Sequence, residues 1–336
     1  MKKPGELGSG VNMRNVGLIA SYADNRDTPL IGIFFAGWRK KMKTKLEGFV
    51  FLVTCLIVIS SVSAGTNASK STAITSPEHL KHSEWELVWE DDFAGGKLDQ
   101  SNWTLCKRGN ADWMNTMSDD PRLLKIEDGV LHLRGIVNDK KDKDPAPYLT
   151  AGVNSKGKFA FQYGKVQIQA RFKSAQGAWP ALWMLGAEKG WPANGEIDLM
   201  EHLNFEHKIY QTVHSEYTVK IDKTNSPKKG GTAQIKRDDW NTYGCEWDAN
   251  KIVFTVNGKP THTYPRVPGK GEKQWPFNRP FYFVLSMQIG GNWVNGSGPT
   301  NPAHYPAGME VDWVRVYSQK EPSNQVSNKS DAGARQ

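Results

Sequence analysis

Gly195-Glu196-Ile197-Asp198-Leu199-Met200-Glu201-His202 sets three carboxylates in an apolar run. An ionised carboxylate out of water is costly unless paired, so acids do not ordinarily punctuate a buried strand. In an extended strand side chains alternate faces, which puts Glu196 and Asp198 on the same side. Strict alternation sends Glu201 to the opposite face. One extra residue near Leu199-Met200, a β-bulge, returns it, and bulges re-aim side chains beside active sites. In a helix, positions five apart diverge by about 140°, so a helix gathers no such row. The stretch reads as a bulged strand lining a groove with three acids. An ordinary solvated strand is the alternative, and the flanking sequence has to decide.

Outward from this stretch the chain reads as many short strands. Alternation or β-rich apolar runs occur at Trp85–Trp89, Gly129–Arg134, Lys165–Phe172, Ile209–His214, Ile252–Val256, Phe281–Gln288 and Met309–Val316. Asp128-Gly129, Asn257-Gly258 and Gly290-Gly291-Asn292 supply turns between them. No long amphipathic helix and no internal repeat stands out. This pattern favours an all-β sandwich or jelly roll over a parallel α/β fold.

A row of acids suits glycoside hydrolysis, in which one carboxylate attacks and a second donates a proton, the two standing about 5–5.5 Å apart in retaining enzymes. Glu196 and Glu201 are long enough to lean together, and Asp198 between them pushes their ionisation apart. The chain has 13 Trp in 336 residues. Trp179 and Trp183 lie just upstream of the acids, and sugar rings stack on indoles. Gly177 and Pro180 read as a bend that presents these two to a groove. Trp113, Trp275 and Trp293 fall in loop-like contexts and are further candidates. Plain core packing is the competing reading for each.

Arg39-Lys40-Lys41-Met42-Lys43, the apolar run Phe49 to Ile59 and Ser60-Ser61-Val62-Ser63-Ala64 compose a signal peptide over 42–64. The run is shorter than the ~20 apolar residues of a spanning helix, so no stable membrane span is expected. Residues 1–41 then read as an upstream extension without a fold, 65–81 as a Ser/Thr-rich linker, 82–318 as the catalytic domain and 319–336 as a polar tail. A secreted, periplasmic or cell-surface protein follows. Residues 1–64 carry nine Lys/Arg and four Asp/Glu, so their removal lowers the formal charge from +8 to +3. No dense basic stripe points to nucleic acid. Cys106 and Cys245 either pair after export or are two buried thiols.

Together these residues resemble glycoside hydrolase family 16, in its laminarinase-like and β-galactanase branches with the bulged Glu-x-Asp-x-x-Glu row. The resemblance is carried in order by Trp89-Glu90-Asp91-Asp92-Phe93, Lys156-Gly157-Lys158-Phe159, Tyr163-Gly164-Lys165-Val166, Trp179 to Leu185, Gly195 to Glu201, Thr212-Val213-His214, Trp275-Pro276-Phe277, Gly290-Gly291-Asn292-Trp293 and Val311 to Tyr317. It implies a concanavalin-like jelly roll with an open cleft and a retaining endo-β-glycosidase that acts on a polysaccharide as a monomer. It implies Glu196 as nucleophile, Glu201 as general acid and base, and Asp198 as their helper. His214 resembles a family histidine close to the acids, and Gln288 a position that reads the sugar. No cofactor is implied for catalysis. A structural calcium, bound opposite the cleft in some members, would fall near Asp92 and Asp312.

The sequence departs from the β-1,3-glucanase pattern at Thr150-Ala151-Gly152-Val153, where Ser-Gly-Arg is usual, and at Ser286-Met287-Gln288, where an aliphatic residue and Asn are usual. Val153 is read as standing in the place of the arginine. The altered sugar-reading positions raise galactose-containing glycans, whether porphyran, agar, O-glycans or poly-lactosamine, beside laminarin-type β-1,3-glucan. A non-catalytic carbohydrate-binding module on the same fold remains the alternative, and a purely structural surface protein leaves the acids unexplained.

Overall fold

The computed structural model describes residues 84–320. The readings on residues 1–41, 42–64 and 65–81, and on the tail from 321, lie outside the described residues. Two antiparallel sheets face one another. The first, of seven strands, runs in the order Gly230–Gln234, Lys208–His214, Glu196–Glu201, Ala178–Gly186, Phe281–Ile289, Gly152–Asn154 and Thr104–Leu105. The second, of nine, runs Lys259–Pro265, Lys251–Val256, Asn241–Trp247, Gly164–Lys173, Ala307–Gln319, Val130–Val137 and Leu124–Glu127. Trp85–Asp91 joins the long strand Ala307–Gln319, and Tyr148–Thr150 joins Val130–Val137. This is the all-β jelly roll that the strand pattern implies. Among the described residues no helix is long and apolar enough to cross a membrane.

Alternation decides which side chains fill the space between the sheets. On Gly164–Lys173, Val166, Ile168, Ala170 and Phe172 point inward and are buried. Ile209, Gln211 and Val213 do the same on Lys208–His214. Phe281–Ile289 is buried along its whole length. Its inward residues join the main core, while Tyr282 and Val284 form a second apolar cluster on the outer face with Cys106, Met117, Ala181 and Trp183. The segment around residues 106–118 therefore lies over part of the outer face and walls the groove there.

Two expectations need correction, and the open question of the cysteines is settled. Trp275 is buried in the main core against Tyr264 and Phe277, so it is packing and not a sugar platform. Pro180 does not bend the chain but lies inside the strand Ala178–Gly186, paired with Met287. The turn is at Gly177, whose φ of +91° and close approach to Thr300 favour glycine. Cys106 and Cys245 are both free buried thiols, one in the outer-face cluster and the other in the main core. Burial raises both, the Cys106 thiol to about 11.

Candidate active site

The register around Glu196–Glu201 shows how the acids reach one face. Against Ala178–Gly186, Asp198 faces Trp183 and Met200 faces Leu182, leaving Leu199 as the extra residue. Against Lys208–His214, Asp198 faces Thr212 and Glu201 faces Tyr210, with the shift at the same point. Both neighbours thus see a bulge at Leu199-Met200, as the sequence expects. Leu199 and Met200 are both fully buried in the core, which contributes about 1.5–3 kcal/mol for each side chain. Gln211, itself buried, donates through Nε2 to the Leu199 carbonyl at 3.0 Å and to Thr255 O at 3.3 Å. Its Oε1 accepts from Thr261. The bulge therefore has a side chain dedicated to a carbonyl in its irregular ladder.

Glu196, Asp198 and Glu201 line a cleft of about 480 Å³ together with Trp113, Trp179, Trp183, His214, Gln288 and Trp293. The expected catalytic and sugar-contacting residues other than Trp275 are thus brought together, from segments up to 180 positions apart. Thr212, Ser286, Lys229, Ala181 and Trp191 complete the lining. The pocket has the volume of an ordinary small-ligand site. A larger cavity of about 910 Å³ lies where residues 98–108 meet residues 117–124. Its Asp144 and Asp120 are bound to Arg108 and Arg122, and it contains none of the three acids.

Each acid has its own partners. Trp179 donates its indole N–H to Glu201 Oε1 at 3.2 Å. Trp191, which sequence reasoning missed, donates to Glu196 Oε2 at 2.7 Å while 56% exposed. The available signal was an apolar Trp191-Pro192 pair in a polar, Gly-rich loop just ahead of Glu196. His214 Nε2 lies 3.3 Å from Asp198 Oδ2 and 3.9 Å from Glu196 Oε1. The closer approach is at ion-pair distance but off hydrogen-bond alignment, and Asp198 Oδ2 has no hydrogen-bond partner.

Trp183 donates to Ser286 Oγ at 3.1 Å, and Trp113 meets its ring edge-on at 4.8 Å. Trp293, 42% exposed, meets both Trp179 and Tyr210 edge-on. Its loop is tied down twice, by Asn292 N donating to Asp112 Oδ2 and by Asn204 Nδ2 donating to Val294 O. Gln288 lies in the cleft floor, 1% exposed, with its amide already engaged. It accepts from Thr116 and donates to Asn115 Oδ1 and Ile289 O. It thus fixes the wall segment to the sheet.

Burial raises all three carboxyls. Glu196 is pushed up to about 8 by desolvation first and the Asp198 charge second, with His214 and the Trp191 N–H pulling the other way. Asp198 rises for the same first reason, moderated by its hydrogen-bonding proximity to Glu196. Glu201 is held well above the usual carboxylate range by burial, then by the charges of Asp198 and Glu196. Three neighbouring carboxyls in one half-dry cleft cannot all be ionised, so the site retains protons that a solvated trio would lose.

Val153 does not face this cleft. It is fully buried in the main core, while Gly152, opposite Ser286, and Asn154 lie on the outer face of the strand. A one-residue shift along a strand reverses the face, which is why the sequence reading chose the wrong position. A Cβ at Gly152 would come within 3.3 Å of Cys106 Sγ, Met117 Cε and the Leu285 carbonyl. The outer wall therefore occupies the space where a longer side chain would stand.

Among the described residues, Glu196, Asp198 and His214 are the only group of three acidic, imidazole or thiol side chains close enough to share an ion. Asp92 and Asp312 belong to no such group. Asp92 accepts from the Ala94 N–H in a local turn, and Asp312 lies at a bulge against Gly164–Lys173.

Comparison with known proteins follows the same lines. The family model described as glycosyl hydrolases family 16 matches residues 113–315. A keratan-sulfate endo-1,4-β-galactosidase from Sphingobacterium multivorum is 37% identical over 75% of this chain, which spans 60% of that relative's length. A β-glucanase from Rhodothermus marinus is 30% identical over 82% of this chain and 96% of its own. The solved laminarinase from Rhodothermus marinus superposes with a TM-score of 0.63 at 29% identity, covering 70% of this chain and 98% of that one. A mutant of the non-specific endo-β-1,3(4)-glucanase SCLam, with 1,3-β-D-cellobiosyl-glucose at its active site, gives a TM-score of 0.62 at 26% identity, covering 70% and 96%.

Proposed function

The chain belongs to family 16 of the glycosyl hydrolases, and from that premise we propose that this endo-β-glycosidase cuts a galactose-containing glycan, using Glu196 as nucleophile, Glu201 as acid and base and Asp198 as the holder of a shared proton. The observation that carries the reading is the bulge, which sets three carboxyls of raised pKa on one face of a Trp-lined cleft.

The steps follow from the partners of each acid. Glu201, protonated in its buried position, gives its proton to the glycosidic oxygen as that bond breaks. Glu196 forms a bond to the anomeric carbon from the opposite side, giving a glycosyl ester. To attack, Glu196 must be ionised. The Trp191 N–H and His214 favour that form, and the proton otherwise shared with Asp198 then resides on Asp198. In the second half Glu201, now ionised, takes a proton from water, whose oxygen displaces Glu196. The two inversions return the original anomeric configuration.

Two observations support a galactose-containing substrate over a plain β-1,3-glucan. On the outer face of the strand Gly152–Asn154, Gly152 is roofed by Met117 and Cys106 and the Asn154 amide turns to Thr104 O and Cys106 Sγ, so neither lines the cleft with a polar side chain for a sugar. The 37%-identical relative is by name a galactosidase, whereas the glucanases are 30% identical or less. We propose further that the enzyme works outside the cytoplasm, after cleavage of the signal peptide read at 42–64. An exported protein whose amino terminus is Gly65 is the expected product.

The test is to incubate the purified protein with keratan sulfate, porphyran, agarose, mucin O-glycans, laminarin and mixed-linkage glucan, and to follow released oligosaccharides by mass. Oligomers from a galactose-containing polymer and not from either glucan are expected. Oligomers from laminarin alone would overturn the substrate assignment.

A further inference from the structure

We infer that Glu196, Asp198 and His214 also form a binding site for a borderline divalent cation of the zinc type, and that an ion bound there shuts the enzyme off. The inference goes beyond the glycosidase reading and does not depend on which glycan is cut.

The geometry comes from the sheet. Glu196 pairs directly with His214 across adjacent strands, and Asp198 pairs with Thr212 two residues along. The three side chains therefore project from one face of a fixed ladder, and one donor atom from each lies within 4.8 Å of the others. A tetrahedral ion bound at about 2.0–2.1 Å holds its donor atoms roughly 3.3–3.4 Å apart. His214 Nε2 and Asp198 Oδ2 already stand at 3.3 Å. Glu196 Oε1 stands 3.9 Å from Nε2, about half an ångström beyond that spacing.

An independent observation points to a ligand. Asp198 is 2% exposed, and its Oδ2 is buried without a hydrogen-bond partner while directed at the imidazole. Buried acceptors are ordinarily satisfied, so an unpartnered carboxylate oxygen has unused capacity to bind a cation. One imidazole and two carboxylates leave a fourth position open to the cleft, the donor set and vacancy that open zinc sites use. Calcium and magnesium prefer six or more oxygen donors and would gain little from an imidazole. Coordination would engage both Glu196 and Asp198. Glu196 could then no longer attack, so the ion would compete with the sugar. Glu201 lies outside the group and keeps its bond to Trp179.

Titration calorimetry of zinc chloride into the full chain, without any sugar, tests the site. One zinc per chain is expected, with no comparable heat from magnesium chloride. Glu201→Gln should bind zinc as the parent does, whereas His214→Gln should bind it roughly tenfold or more weakly. Asp198→Asn, read in the same way, serves if His214→Gln does not fold by circular dichroism. Zinc binding unchanged in the folded variant, or absent from the parent, overturns the inference. Because the heat is measured without turnover, that failure would leave the glycosidase reading intact. Loss of activity on every glycan would in turn leave the metal site standing.

Discussion

Trp191 donates its indole N–H to Glu196 Oε2 at 2.7 Å from a loop residue that is itself 56% exposed. The bond favours the ionised form of a carboxyl that burial drives the other way. Hydrogen bonds to a charged group contribute about 1.5–3 kcal/mol, so Trp191→Phe should lower kcat roughly 10- to 100-fold. Losing a donor to the anion raises the Glu196 pKa, so the acid limb of the kcat/KM profile should move to higher pH. An unmoved limb would show that this bond does not tune the nucleophile.

Under the proposed roles, Glu196→Gln removes the attacking oxygen without changing the shape of the site. Turnover should fall by roughly 10⁴-fold or more, while oligosaccharide binding and thermal stability persist. Activity near that of the parent would remove Glu196 from the reaction.

Glu201 gives a stability test with a definite sign. Its folded-state pKa lies well above the ordinary 4.5, through burial and the charges of Asp198 and Glu196. The folded state thus holds a proton that the unfolded chain releases, and stability declines as pH rises from the unfolded value through the folded one. Glu201→Gln abolishes this loss. Its Tm should exceed that of the parent by roughly 3–6 °C near pH 8 and converge with it near pH 4. A variant less stable than the parent at both values would contradict the burial argument.

Gln211 supports the bulge through the Leu199 carbonyl. Gln211→Leu leaves that buried acceptor and Thr261 without their partner, which costs about 1–3 kcal/mol. Because the bulge places Glu201, kcat should fall more than KM changes. Denaturant melts and steady-state kinetics on the same preparation would separate the two effects.

Much of this was legible in the chain, for identifiable reasons. Period-two alternation exposed Glu196 and Asp198 as a pair, and the misfit of Glu201 required the bulge that both neighbouring strands show. Trp179, Trp183 and Trp293 were legible because large aromatics beside glycine turns flank the acids. Trp191 was missed because its contact depends on a loop path, which no periodicity encodes. Val153 was assigned to the wrong face because a short strand, Gly152–Asn154, offers too few residues to set its phase. Gln288 was read as a sugar contact, yet its amide is consumed by Thr116, Asn115 and Ile289, partners over 170 residues distant in two cases. Local sequence carries strand identity and side-chain chemistry, while such long-range hydrogen bonds exist only after folding.

The most direct test of the account is to trap the glycosyl ester. The protein would be treated with an activated 2-deoxy-2-fluoro-β-galactosyl oligosaccharide, digested, and its peptides weighed. The expected result is one adduct on the peptide containing Gly195 to Glu201, assigned to Glu196 by fragmentation. An adduct on Glu201 or Asp198, or continued turnover of the native glycan in Glu196→Gln, would contradict the proposed chemistry.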